Sequence, residues 1–269
     1  MSQINSETQT LSSQHLSELK AAKSLLENPG LAAKVTDFVG APIELLIEKL
    51  PEDWNKKIGS VTHTALDKAA DAALYTMKDI PGEESSNIWH KIGAAASGAA
   101  GGFFGITALS IELPVSTTLM LRSIGDVARE QGESISSEET KLACLQVFAL
   151  GGNSNDDDGA ESGYFAIRGM LARATAEAAE HIAKHGLAQE AAPVLVRFMT
   201  LIAERFGVQI TQKAAAQAVP AIGAVGGAAI NTIFMDHFQD MAKGHFIVRK
   251  LERQYGLESV RQQYHLLPS

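Results

Sequence analysis

Apolar residues recur along this chain at three- and four-residue intervals, the spacing of one helix face, and long alternating β-branched runs are absent. The pattern predicts a helix from Ser12 or Ser13 through Leu26, stopped by Pro29-Gly30. A second covers 42–50, with Pro42 in its first turn and Pro51 at its end, and Trp54 marks a short helix after it. Val61, Ala65, Ala69, Ala72, Leu74 and Met77 place an amphipathic helix over 61–79, before Pro81-Gly82. The stretch 86–132 reads as a long apolar helical region broken near Pro114. Ser136-x-x-Glu139 is a capping-box signature for a helix over 139–150. A polar, acidic loop follows over 153–163, then helices over 164–185, 189–206, 209–219, 221–243 and 245–265. The expected fold is all-α: a single multi-helix domain built around two Gly/Ala-rich close-packed helices. Residues 1–10 are expected to be disordered, 11–57 to form an N-terminal helical extension, and 58–266 to form the main domain.

The two Gly/Ala-rich segments are 92–111 and 214–235. The first carries no charge and contains five glycines and six alanines. Gly93, Ser97, Gly101 and Gly105 recur every fourth residue and form one small-residue ridge. Gly223 and Gly227 repeat the spacing, with Asn231 next in line; Pro220 interrupts the ridge upstream. Such ridges let helix backbones approach closely. Five glycines handicap a helix by about 5 kcal/mol relative to alanine, which close packing must offset. As a membrane span the first segment is marginal. Its six large apolar residues supply only about −3 kcal/mol of insertion energy, and the second segment contains Gln217, Pro220 and Asn231.

Charge and composition narrow the function classes. The 269 residues carry 31 acidic and 23 basic side chains, a net charge of −8, which argues against a nucleic-acid partner. One cysteine, Cys144, excludes an intramolecular disulfide and fits a reducing, cytoplasmic setting. The N-terminus has no basic-then-apolar leader pattern, so secretion is not expected. Lys243, Arg249, Lys250 and Arg253 follow the second segment and are placed to meet anionic headgroups.

The stretches ELPVSTTLMLRSIGDVAREQGE (112–133), ETKLACLQVFALGG (139–152), ESGYFAIRG (161–169) and VPAIGAVGGAAINTIFMDHFQDMAKGHFIVRKLERQYG (219–256) occur in that order. In them the chain resembles the EcsC protein family of bacteria over roughly 60–265. The family takes its name from a gene beside those of an ABC transporter. The resemblance implies a helical fold and a bacterial origin, and it brings no catalytic residues or cofactor.

Candidate chemistry is therefore read from the residues. Glu112 adjoins an apolar helix and a proline, a setting that predicts a polar pocket and a raised pKa. Arg122, Asp126 and Arg129 share a helix face as a salt-bridge ladder, and Arg122 is a candidate ligand-binding fork. Asn231, Phe234, Phe238, Met241 and His245 share one face; Asn231 is a candidate for ligand binding or for a hydrogen bond across the helix pair. Asp236, His237 and Asp240 are candidate metal ligands, and Glu112, His237, Asp240 and His245 are candidate catalytic groups. Glu180-His181-x-x-x-His185 is not HExxH, and the acidic loop fails the EF-hand pattern because Phe165 stands where the bidentate Glu belongs. Cys144 lies in an apolar helix as an inert thiol. Nucleophile-elbow, P-loop and dinucleotide motifs are absent, so no cofactor is indicated. Three functions fit: a non-enzymatic accessory protein with a membrane-lipid or membrane-protein partner, peripheral to or inserted in the inner membrane; a metal-assisted hydrolase with a polar site near Glu112 and His237; or a lipid or small-ligand carrier.

Overall fold

The computed structural model describes residues 10–27, 30–74, 105–152, 163–185, 193–219 and 223–268. Among them all regular structure is helical. The elements are α1 (Ser13–Glu27), α2 (Leu31–Val39), α3 (Ile43–Ile47), α4 (Trp54–Leu74), α5 (Gly105–Glu130), α6 (Glu138–Gln146) with a 3-10 turn at Val147–Ala149, α7 (Gly163–His185), α8 (Pro193–Gln217), α9 (Gly223–Tyr255) and α10 (Leu257–Leu266). Gly93, Ser97, Gly101, residues 1–9 and nearly all of the acidic loop lie outside the described residues, so the first ridge and the expected N-terminal disorder are not part of this description. Gly105 opens α5, and Gly223 and Gly227 lie in the first turns of α9.

The spine is α9, whose 33 residues span about 50 Å. It packs against α1, α5, α8, α10, α2 and the 3-10 turn. Phe148, Phe206 and Phe238 bring together the 3-10 turn, α8 and α9, with ring centroids 4.7, 5.2 and 5.5 Å apart. Tilted and edge-on contacts of this kind add to the burial of the rings. α4 lies along α5, and α2 and α3 lie on α8.

Several local expectations give way to tertiary packing. α5 runs straight through Pro114 rather than breaking there. A proline inside a helix costs about 3 kcal/mol. Lys213 on α8 reaches Glu112 on one side of Pro114 and Ser116 on the other. α8 is likewise one helix where two were expected. The expected tail helix is the end of α9 plus α10, divided at Gly256, where φ is +83°. α6 starts at Glu138 with Ser137 as its extended N-cap and no side-chain cap; Ser136 bonds Ser134 at 2.8 Å instead of closing a capping box.

The boundary expected near residue 57 falls inside α4, and the helices before it share one core with the rest. Four polar bonds tie α1 to the chain's other end. His15 Nδ1 lies 2.7 Å from the Tyr255 hydroxyl, and Lys250 donates to Glu18 at 2.8 Å. Lys23 donates to the carbonyls of Tyr264 and Leu267 at 3.1 and 2.7 Å, capping the C-terminus of α10. Between them α1 sits so close to α9 that only glycine fits at position 244. A Cβ there would lie 2.6 Å from Leu26 Cγ and 3.0 Å from the Ala22 carbonyl oxygen. Gly244→Ala is therefore expected to destabilise the protein by about 1–3 kcal/mol despite its helix-favouring chemistry, read as a lower urea midpoint.

Candidate functional site

The polar centre of the molecule lies where α5, α8 and α9 meet. Lys213 Nζ is fully buried and donates to both oxygens of Glu112 at 2.9 Å. It also reaches Ser116 Oγ at 3.4 Å and stands 5.6 Å from the centroid of the Phe234 ring. Asn231 Nδ2 completes the arrangement with a 2.8 Å bond to Glu112 Oε1. Burial pushes the Glu112 carboxyl up, but the Lys213 charge and the bonds from Lys213, Asn231 and Ser116 outweigh it and hold the group below its ordinary pKa. The raised pKa expected from the sequence is thus reversed. Glu112 is held as a carboxylate that accepts bonds from Lys213 and Asn231.

The same geometry sets the orientation of α5. Glu112, Ser116, Thr117 and Ser123 are buried, and Ser123 Oγ accepts a 2.7 Å bond from Gln239 on α9. Ile111 and Val115, on the outer face, are 71% and 50% exposed. Pro114 and Leu119 lie along that outer face and are half-buried. The N-terminal half of α5 therefore buries Leu109 and Leu113 together with Glu112, Ser116 and Thr117, and leaves Ile111 and Val115 as an apolar pair on the outside, where an ordinary surface helix carries polar residues.

The profile of the EcsC protein family matches residues 13–251, nearly the whole chain. The chain belongs to the EcsC protein family. The match begins at Ser13 and so includes α1–α3. No curated protein and no solved structure matches it.

In this EcsC chain the remaining candidates are dispersed. Asp240 pairs with Lys34 of α2 at 3.2 Å. His237 is buried beneath Gly151, where a Cβ would lie 2.5 Å from its ring. Gly151 has φ +71°, and its missing side chain is what admits the imidazole. Neither ring nitrogen of His237 has a hydrogen-bond partner among the described residues. Burial, with a contribution from Lys34, pulls its pKa down to about 3, so it is neutral at ordinary pH. Asp236 faces a polar cleft between α2 and α9 that Lys34, Asp37 and Lys243 also line. Among the described residues no three His, Cys, Asp or Glu side chains come together as a metal-binding group.

His245 is also fully buried, and its Nδ1 lies 3.0 Å from the Tyr164 hydroxyl. Burial, then the charges of Arg168 and Arg249, hold its pKa well below the usual histidine range. Arg168 grips Glu252 bidentately at 2.6 and 2.9 Å. Arg129 pairs with Asp126, as the ladder predicted, and Arg122 lies on the same helix. Glu180 pairs with Lys184 at 2.5 Å. Cys144 is buried, and that burial pushes its thiol pKa up, as an inert group.

The basic tail pairs with acidic groups of other elements. Arg249 and Arg253 both bind Glu133, which also accepts a 3.0 Å bond from Thr140, and Lys250 binds Glu18. Burial would raise the Glu133 pKa, but Arg249, Arg253 and Thr140 leave it lowered. These cations pair with carboxylates of other elements, while the side chains of Lys250 and Arg253 stay 28% and 43% exposed. Sequence reasoning missed Lys213, Glu133 and the Arg168–Glu252 pair. The one local signal for Lys213 was a lone cation beside an alanine run, QKAAAQA.

Removing one member of a buried ion pair strands the other. Lys213→Met is expected to cost about 3–5 kcal/mol, and Glu112→Met with Lys213→Met to recover most of it, in urea unfolding of the single and double variants. Acid should act in one direction. His237 has a folded pKa near 3 against an ordinary 6.5, so its contribution is complete above pH 6.5 and drains as pH falls towards 3. The loss is on the order of 4 kcal/mol. Glu112 is also lowered and loses its contribution on further acidification. His237→Leu should flatten the decline in stability between pH 6.5 and 3.

Proposed function

We propose that this EcsC-family protein is a non-enzymatic accessory protein that docks on a membrane through the outer face of α5. The observation that carries the reading is the exposed apolar pair Ile111 and Val115 on a helix whose polar groups Glu112, Ser116 and Thr117 are buried. Polar side chains turned into a helical bundle and apolar ones turned out are the pattern of helices that face lipid. Ile111 and Val115 also continue directly from the charge-free segment 92–111. Among the described residues no helix is long and apolar enough to cross a membrane, and the reading is of docking in the interface plane.

The hydrolase alternative has less support. Glu112 is held as a carboxylate by Lys213 and Asn231, His237 is sealed under Gly151, and Asp240 is paired with Lys34. A general base near neutral pH needs the opposite of what holds Glu112.

Because Arg249, Lys250 and Arg253 are bonded internally, apolar area rather than charge drives the docking. The protein is expected to co-sediment with neutral phosphatidylcholine vesicles about as well as with vesicles containing phosphatidylglycerol. Ile111→Asp with Val115→Asp should weaken that partition about tenfold or more, since burying such side chains contributes roughly 1.5–3 kcal/mol each. Both positions are exposed, so the urea midpoint should not fall. Wild-type protein left in the supernatant, or a folded double variant that still sediments, would overturn the reading.

A further inference from the structure

A second apolar surface lies on other elements and does not depend on α5. The helices α4, α6, α7 and α8 enclose a cleft of about 340 Å³, within the lower part of the ~300–1,000 Å³ range of small-molecule sites. Its floor is aliphatic and aromatic: Leu142 and Leu145 from α6, Ile182 from α7, and Leu195, Phe198 and Met199 from α8. One wall differs. His63, Asp67 and Asp71 stand at four-residue spacing along α4 and line the cleft as a single polar row. On the α6 side Glu138 is matched by Lys141 at 2.9 Å. His63 Nδ1 lies 3.0 Å from Asp67, and both are partly exposed. Among the described residues, three carboxylates therefore border the cleft against one lysine, which is paired with Glu138.

A carboxylate row beside an apolar floor selects its occupant by charge and by polarity together. An anionic amphiphile would set its head against Asp67 and Asp71. A neutral one would leave the carboxylates uncompensated. An alkyl chain ending in an ammonium group satisfies both, with the chain over Leu142, Phe198 and Met199 and the head between Asp67 and Asp71. We propose that this cleft is a binding site for single-chain cationic amphiphiles, that is, long-chain primary amines.

The test uses the full-length protein and monomeric probes below their micelle concentrations: dodecylammonium, dodecanol and dodecanoate, by isothermal titration calorimetry. Dodecylammonium should bind tightest and dodecanoate weakest. Asp67→Asn and Asp71→Asn should each weaken dodecylammonium about threefold, as expected for a partly exposed charge pair, and leave dodecanol unchanged. Both positions border solvent, so these variants should keep the wild-type urea midpoint. Ala70→Trp, which fills the cleft from α4, should abolish binding of all three probes. Dodecanoate binding as tightly as dodecylammonium would overturn the proposal. So would no binding of any probe to folded protein, or Asn variants indistinguishable from wild type.

Discussion

The contact between Lys213 and Glu112 joins residues 101 positions apart and governs the upper part of the molecule. Two charges taken out of water cost several kcal/mol each, and their attraction repays this only when the geometry is good and the remaining valences are filled. Here Asn231 and Ser116 fill them. The net contribution of such a pair to stability is small, but wrong arrangements are heavily penalised, so it acts chiefly on specificity. It fixes the rotation of α5, the register of α8 against it, and the depth at which α9 enters. It also brackets Pro114: one lysine reaches Glu112 before the proline and Ser116 after it.

The exposed apolar pair of α5 sits beside the same contact. A helix turns about 100° per residue, so Ile111 and Val115 stand about 100° to one side of Glu112 and Ser116, while Leu113, about 100° to the other side of Glu112, is buried. The exposed apolar pair thus flanks the buried ion pair. Interior polar groups need partners far more than exterior apolar groups need cover, because an unpaired buried charge costs more than an uncovered isoleucine. Any apolar surface left by that choice is available to a lipid or a partner.

The lower half of α9 uses the same physics for another end. Glu133, Glu252 and Glu18 take up Arg249, Arg253, Arg168 and Lys250, and these pairs draw the loop after α5, then α7 and α1, onto one helix. His237 and His245 lie among them as neutral imidazoles, kept uncharged by burial and by neighbouring cations. What reads along the chain as a basic tail and a histidine-rich helix is in space a set of internal fastenings. The polar groups left at the surface of a cleft, Asp67 beside His63 and Asp71 one turn on, are partly open to solvent and placed to meet something else.

Helical periodicity and the family motifs were legible in the sequence, because each is a local property that a few neighbouring residues carry; the capping box at Ser136 and the break at Pro114 were not realised. Glu112 and Asn231 were legible too, as the polar marks of an apolar neighbourhood, and they do meet. Local patterning could not say which face of α5 turns inward, that Glu112 is held ionised, or that Pro114 is spanned rather than obeyed. The first two depend on Lys213, distant in the chain and unremarkable in its alanine run. The fate of the basic tail likewise rested on Glu133 and Glu18, which no spacing rule links to Arg249 or Lys250. Periodicity shows that a helix has two faces. Which one is buried is decided by the partner that satisfies its charge, and only the tertiary structure brings that partner within 3 Å.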